Sequence, residues 1–163
     1  MANVETLYRV HGPAVYRFAL ALSGNAADAD DITAETFLRL WTARDRLDLS
    51  TVIGYLLTIA RHLYLHGIRH AARRQSLDHD VVDDASSVST RSEARDALTA
   101  TLADLQTLPE MDRAAVLMRA QEQLPYDEIA AALGITPGAA KVKVHRARQR
   151  LWAMRKTREG QKP

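Results

Sequence analysis

Apolar residues recur three and four positions apart along most of the chain, with short polar or glycine-containing breaks between the periodic runs. That spacing places them on one face of an α-helix. The first run predicts a helix over about residues 4–22, with Leu7, Val15, Phe18, Ala19 and Leu22 as its core face. Pro13 lies inside this run and predicts a kink or break near His11 and Gly12. Asn25 is placed to cap a second helix over about residues 26–44, with Asp28 at the capping-box position. There Ile32, Thr36 and Leu40 share a face, with Phe37 and Trp41 beside it, while Asp31 and Glu35 project together from the outer side. A polar loop, 43–50, precedes a third helix over about residues 51–74, whose buried stripe takes in Tyr55, Leu56, Ile59, Leu63 and Ile68. Residues 76–90 lose the period and are rich in Asp and Ser, the composition of a flexible linker. Periodicity returns near residues 92–107, with Leu98, Leu102 and Leu105 facing inward, and again at 110–121, with Val116 and Leu117. The expectation is an all-α protein. Two small helical domains, 1–75 and 96–163, are joined by an acidic linker, 76–95.

The most informative stretch is 124–151. Ile129, Ala130 and Leu133 make the buried face of a short helix, and Gly134 suits the left-handed conformation that ends it. Thr136 is an N-cap and Pro137 fits the first helical position of a second helix. That helix sets Ala140, Val144, Ala147 and Leu151 inward and carries Lys141, Lys143, Arg146, Arg148 and Arg150. A short helix, a glycine turn and a capped basic helix form the pattern of a helix-turn-helix with its second helix in a DNA major groove. A solvated basic helix closing a bundle would show the charges, but not the cap, glycine and apolar spacing together.

Charge changes this picture more than composition does. The net charge of +2 hides nine Lys or Arg against the single acid Glu159 from Lys141 to the end, and six acids against Arg91 and Arg95 from Ser76 to Asp96. The basic block calls for an anionic partner. With no cysteine, disulfides and thiolate metal sites are excluded. No signal peptide or apolar run of membrane-spanning length is visible, so a cytoplasmic protein without direct membrane insertion is expected. His62, His66 and His70 recur every four residues, but the outer pair is separated by about 12 Å of helix rise and cannot share one ion. Asp31 and Glu35 lack the Glu-x-x-His partners that carboxylate metal sites in bundles use. No metal and no cofactor is expected.

The ordered series of motifs resembles the extracytoplasmic-function (ECF) sigma factors of bacterial RNA polymerase, over about residues 5–75 and 96–152. Asn25 to Trp41 is similar to the family's core-binding helix, and Tyr55-Leu-Leu-Thr-Ile-Ala-Arg61 to the helix at the melted upstream edge of the transcription bubble. Leu108-Pro, Arg113, Leu117, Tyr126-Asp-Glu-Ile-Ala and Lys141-x-x-x-His-Arg-Ala-Arg148 are similar to its reader of the upstream promoter element. In these terms the domains are sigma region 2, a helical bundle, and sigma region 4, the helix-turn-helix.

The resemblance implies partners and roles. Asp31, Ala34, Glu35 and Leu38 would face the core polymerase, whose beta and beta-prime subunits are the implied partners. Arg44, Arg46, Arg61, His62, His66, Arg69, Arg73 and Arg74 would contact the promoter's −10 element, the loop from Arg44 to Ser50 holding a base extruded from the stack. Lys141, Val142, Lys143, His145, Arg146 and Arg148 would contact the −35 element. An anti-sigma factor is the implied regulator, and catalysis would belong to the polymerase rather than to this chain. Ala34, Tyr55, His62, His66, Pro125 and Val142 depart from the residues usual at these places. Two other classes stand beside this reading: a stand-alone helix-turn-helix regulator, which leaves Asp28–Trp41 without a role, and a metal-dependent helical-bundle enzyme using Asp31, Glu35 and the histidines.

Overall fold

A computed structural model describes residues 3–43, 52–75 and 93–161, with the side chains of 68–75 left undescribed. These residues form seven helices: α1 (Val4–Ser23), α2 (Ala26–Ala43), α3 (Val52–Gln75), α4 (Glu93–Gln106), α5 (Glu110–Glu122), α6 (Tyr126–Leu133) and α7 (Pro137–Gly160). No strand occurs among the described residues. The expected linker from 76 to the start of α4 lies outside them.

Helix α1 is held by its apolar face. Leu7, Val15, Phe18, Ala19 and Leu22 are all buried, as their spacing predicts. Of the kink or break expected at Pro13, the break does not occur: α1 runs as one helix through Pro13. An interior proline costs about 3 kcal/mol, whereas burying one large apolar side chain contributes about 1.5–3 kcal/mol. Leu7 lies before Pro13, and Val15, Phe18 and Leu22 after it; all face the same core, so a break would give up more than it relieved.

The caps follow the sequence with one change. Asn25 Oδ1 accepts from the Asp28 amide at 2.9 Å. The reciprocal half of the expected capping box does not form, because the Asn25 amide donates instead to Ser23 Oγ at 3.2 Å. Thr33 and Thr36, both buried in α2, donate their hydroxyls back to Ala29 O and Ile32 O, so neither leaves an unpaired polar group in the core.

Three expected core positions are corrected. Trp41 is 53% exposed, Leu98 is 52% exposed and Tyr55 is 38% exposed. On α3 the fully buried residues are Leu56, Leu57 and Ala60. A single amphipathic stripe is the wrong pattern for this helix, since α1 and α2 pack on one side and α5 and α6 on another. Ile68 lies among the undescribed side chains.

In the C-terminal half, α5, α6 and α7 pack around Met118, Ile129, Ala140, Val144 and Ala147. Gly134 ends α6 at φ +69°, Thr136 Oγ1 accepts from the Ala139 amide at 3.1 Å, and Pro137 opens α7. The helix-turn-helix is therefore present as the sequence predicts.

The two halves pack against each other, and their apolar cores are continuous. The final carbonyls of a helix have no partner within it. At the end of α1, Gly24 N–H serves Leu20 O, but Ala21 O accepts from Gln106 Nε2 at 2.9 Å and Leu22 O from Arg113 Nη1 at 2.6 Å. The C-terminal half thus caps a helix of the N-terminal half.

This geometry separates two glycines. Gly134 has no heavy atom within 4 Å of an added Cβ, so Gly134→Ala meets only the left-handed backbone penalty of about 1–2 kcal/mol. At Gly24, φ +70°, the added Cβ falls 2.9 Å from Gln106 Cδ and displaces the cap on Ala21 as well. Urea denaturation should show Gly24→Ala the more destabilised of the two. Equal losses would contradict the capping arrangement.

Candidate nucleic-acid interface

Four outward residues of α2 form one stripe. Asp31, Ala34, Glu35 and Leu38 are all exposed, and their three- and four-residue spacing puts them on one face. Leu38 is 61% exposed and stands between Glu35 and Trp41 on this face. Trp41 lies three residues beyond Leu38 and extends the same stripe, so it belongs to this outer face rather than to the core. Its spacing from Leu38 was the available signal. Glu35 is shared with Arg39 at 3.6 Å, an exposed pair of the kind that contributes little. The face is acidic at one end and apolar at the other.

The candidates on α3 divide. His62 and His66 are exposed. Arg61, by contrast, is buried and donates through Nε and Nη2 to both carboxylate oxygens of Glu110 at 2.7 and 2.8 Å. Two parallel charge-assisted bonds make this a strong pairing. Arg61 therefore faces the C-terminal half, not solvent, in this arrangement. Spacing within α3 could not show it, because its partner is 49 residues away. Arg69, Arg73 and Arg74 lie on α3 with undescribed side chains, and Arg44, Arg46 and the rest of their loop lie outside the described residues. No group of three or more His, Asp or Glu comes together in metal-ligating proximity among the described residues.

On α7 the inward stripe of Ala140, Val144 and Ala147 is fully buried, which turns the opposite face outward. Val142 stands near the middle of that face, 58% exposed, with Lys141, His145, Arg146 and Arg148 also exposed around it. Lys143 sits at the edge, half-buried, 3.5 Å from Asp112 Oδ1, and Arg146 Nε lies 3.3 Å from Asp112 Oδ2. Asp112 itself is 2% exposed. A buried acid under two of the six candidate contacts was not foreseen from sequence.

Arg113 organises the junction between the halves. It is buried and donates to Leu105 O, Leu108 O, Leu22 O and Tyr64 Oη at 2.6 to 3.1 Å. The resemblance had marked this residue without giving its role. Here a guanidinium spans α1, α3 and the α4–α5 connection, and its charge lies at the negative end of the α1 dipole. Arg17–Glu122, 3.6 Å apart, adds a more exposed pair across the same junction.

A helical bundle with an exposed acidic-apolar stripe, carried on the same chain as a helix-turn-helix with a basic outer face, defines a DNA-binding protein of the transcription-factor class. Its family follows from comparison. Residues 7–74 match the sigma-70 region 2 family and residues 102–151 match sigma-70 region 4. The chain is 33% identical to the RNA polymerase sigma factor CarQ of Myxococcus xanthus over 156 residues, covering 90% of this chain and 86% of CarQ. It is 35% identical to the ECF RNA polymerase sigma factor SigE of Mycolicibacterium smegmatis over 158 residues, covering 93% of this chain but 61% of SigE. The protein belongs to the ECF sigma factors. Its fold is also that of the sigma factor RpoE from Bartonella quintana, solved with the anti-sigma factor NepR (TM-score 0.80, 24% identity, 93% and 96% of the two chains). It is likewise that of CnrH, solved with the cytosolic domain of CnrY (TM-score 0.70, 24% identity, 94% and 88%). No described helix is long and apolar enough to cross a membrane.

Replacing Arg113 by Met would strand Leu22 O, which has no donor other than Arg113 among those described, and remove its bonds to Leu105 O, Leu108 O and Tyr64 Oη and a longer one to Gln106 O. At about 1–3 kcal/mol for each buried polar group left unsatisfied, Arg113→Met should lose at least about 3 kcal/mol in chemical denaturation. A loss below about 1 kcal/mol would mean that the junction does not depend on this residue.

Proposed function

We propose that this chain binds core RNA polymerase through the outer stripe of α2, reads a two-part promoter with α3 and α7, and directs transcription initiation, with catalysis left to the polymerase. The observation that carries the reading is the coexistence of two outward faces of opposite character. One is acidic and apolar around Asp31, Glu35, Leu38 and Trp41; the other is basic around Lys141, His145 and Arg148. A reader of DNA alone would need only the second. The first fits a protein partner, since a leucine and a tryptophan beside carboxylates offer both buried area and charge complementarity.

The roles divide by face. Asp31, Ala34, Glu35 and Leu38 dock on the polymerase, and Trp41 extends that contact. His62 and His66 meet the −10 region, with Arg61, Arg69, Arg73 and Arg74 along the same helix and Arg44 and Arg46 in the preceding loop. Lys141, Val142, Lys143, His145, Arg146 and Arg148 meet the −35 duplex, where Lys and Arg either bond guanine edges or grip phosphate. Arg61 is held by Glu110 when the halves are packed, so its contact with DNA requires them to separate. An anti-sigma partner is part of this proposal. It is supported by the family and by a structure of similar fold, the sigma factor RpoE, solved with the anti-sigma factor NepR.

Mixing the purified chain with core polymerase and transcribing genomic promoter fragments tests the reading. Transcripts that depend on the chain are expected; duplex binding with no holoenzyme would instead indicate a stand-alone regulator. The double substitution Asp31→Arg, Glu35→Arg should abolish polymerase binding, at least about 100-fold, while leaving the helical content unchanged. Retained binding would remove the docking assignment. Glu110→Gln weakens the hold on Arg61 and should increase binding of a single-stranded −10 fragment by the free chain. No increase would mean that the closed packing does not limit access.

A further inference from the structure

The site where α5 passes under α7 contains a carboxylate that the promoter-reading assignment does not use. Asp112 is 2% exposed, and water cannot solvate its charge. Its compensation comes from the reading helix itself, from Lys143 at 3.5 Å and Arg146 at 3.3 Å. Both approaches are loose. Oδ2 accepts no hydrogen bond among the described residues, although the Arg146 guanidinium stands beside it. Lys143 is drawn down far enough that its side chain is only 21% exposed, while Arg146 remains 47% exposed. Among the described residues, no ion pair joins Lys141 or Arg148, on the same outer face, to an acid.

We propose that Asp112 is a positioning residue for the DNA-reading helix. It withholds Lys143, and partly Arg146, from sequence-independent contact with phosphate. The inference rests on the assignment of α7 as the reader and adds a device to it. An unpaired surface lysine reaches any phosphate, whereas one tied to a buried acid must leave that acid uncompensated in order to do so. Grip on random DNA is therefore reduced without removing the cations. Arg146, the more exposed of the pair and without a hydrogen bond to Oδ2, is the one free to exchange Asp112 for a correctly placed base edge.

Salt dependence separates this from a merely structural role, because each phosphate contact adds about 0.9 to the slope of log affinity against log salt. The full-length chain is titrated with a random-sequence duplex of about 25 base pairs between about 50 and 200 mM salt. Asp112→Asn should bind this probe more tightly at low salt, and should lose about threefold to tenfold more affinity than wild type across the range, for one to two freed cations. A slope equal to wild type overturns the proposal. Should Asp112→Asn fail to fold, two surface variants decide instead. Lys141→Met should flatten the slope by about one contact, and Lys143→Met by much less; equal flattening overturns the proposal. If the wild-type chain binds no duplex even at the lowest salt, the assignment of α7 as a reader fails, and this inference fails with it.

Discussion

The arrangement depends on how the last carbonyls of α1 are satisfied. A helix C-terminus buried at a domain junction needs donors, and α1 has no basic residue in its last turn to provide one. Arg113 and Gln106, both from the C-terminal half, donate to Leu22 O and Ala21 O. Each contact is short range and directional, so together they fix the end of α4 and the start of α5 against α1. Once α5 is fixed, Glu110 lies opposite Arg61, and the apolar residues of the halves close into one cluster. Closure of the chain on itself is a hydrogen-bonding constraint as much as an apolar one.

That polar character matters for function. A junction held mainly by apolar area would resist opening under most conditions. The polar part of this junction, an arginine cap, a bidentate ion pair and a glutamine amide, can be exchanged when another partner supplies donors for the freed carbonyls and acceptors for the freed guanidinium groups. On the proposed reading, DNA phosphates are such acceptors for Arg61. The outer stripe of α2 and the basic face of α7 both remain exposed while the halves are closed, so on the same reading docking precedes opening. This ordering follows from which charges are buried: Arg61 is inside, whereas Asp31, Glu35, Lys141 and Arg148 are outside.

Much of the fold was legible in the sequence because its elements are locally encoded. The 3.6-residue period placed all seven helices, and Asn25, Gly134, Thr136 and Pro137 marked ends that the structure reproduces. The candidate faces on α2 and α7 were legible for the same reason, since one helix's spacing fixes its own outer residues. What was not legible depends on a second element. Pro13 signals a break locally, and only the core contacts on both sides of it, which no local pattern contains, keep α1 continuous. Leu57 and Ala60 are buried because α3 is covered on two sides, which no single-stripe pattern contains. The partners of Arg61, Arg113 and Asp112 come from other helices, up to 91 residues distant for Leu22 and Arg113, and no spacing rule reaches that far.

On the proposed reading, the halves are closed in the free chain and separate when the polymerase is engaged. The chain has no cysteine, so a pair introduced at Arg17 and Glu122, which face each other across the junction, can be spin-labelled without background. Arg17 is exposed and Glu122 partly buried, and at 3.6 Å they share no hydrogen bond, so labels there leave the Arg113 and Gln106 caps untouched. Pulsed electron resonance on the free chain should give one short distance, and addition of core polymerase should replace it with a long one. A short distance that persists in a transcribing holoenzyme would contradict the account, as would a long distance in the free chain.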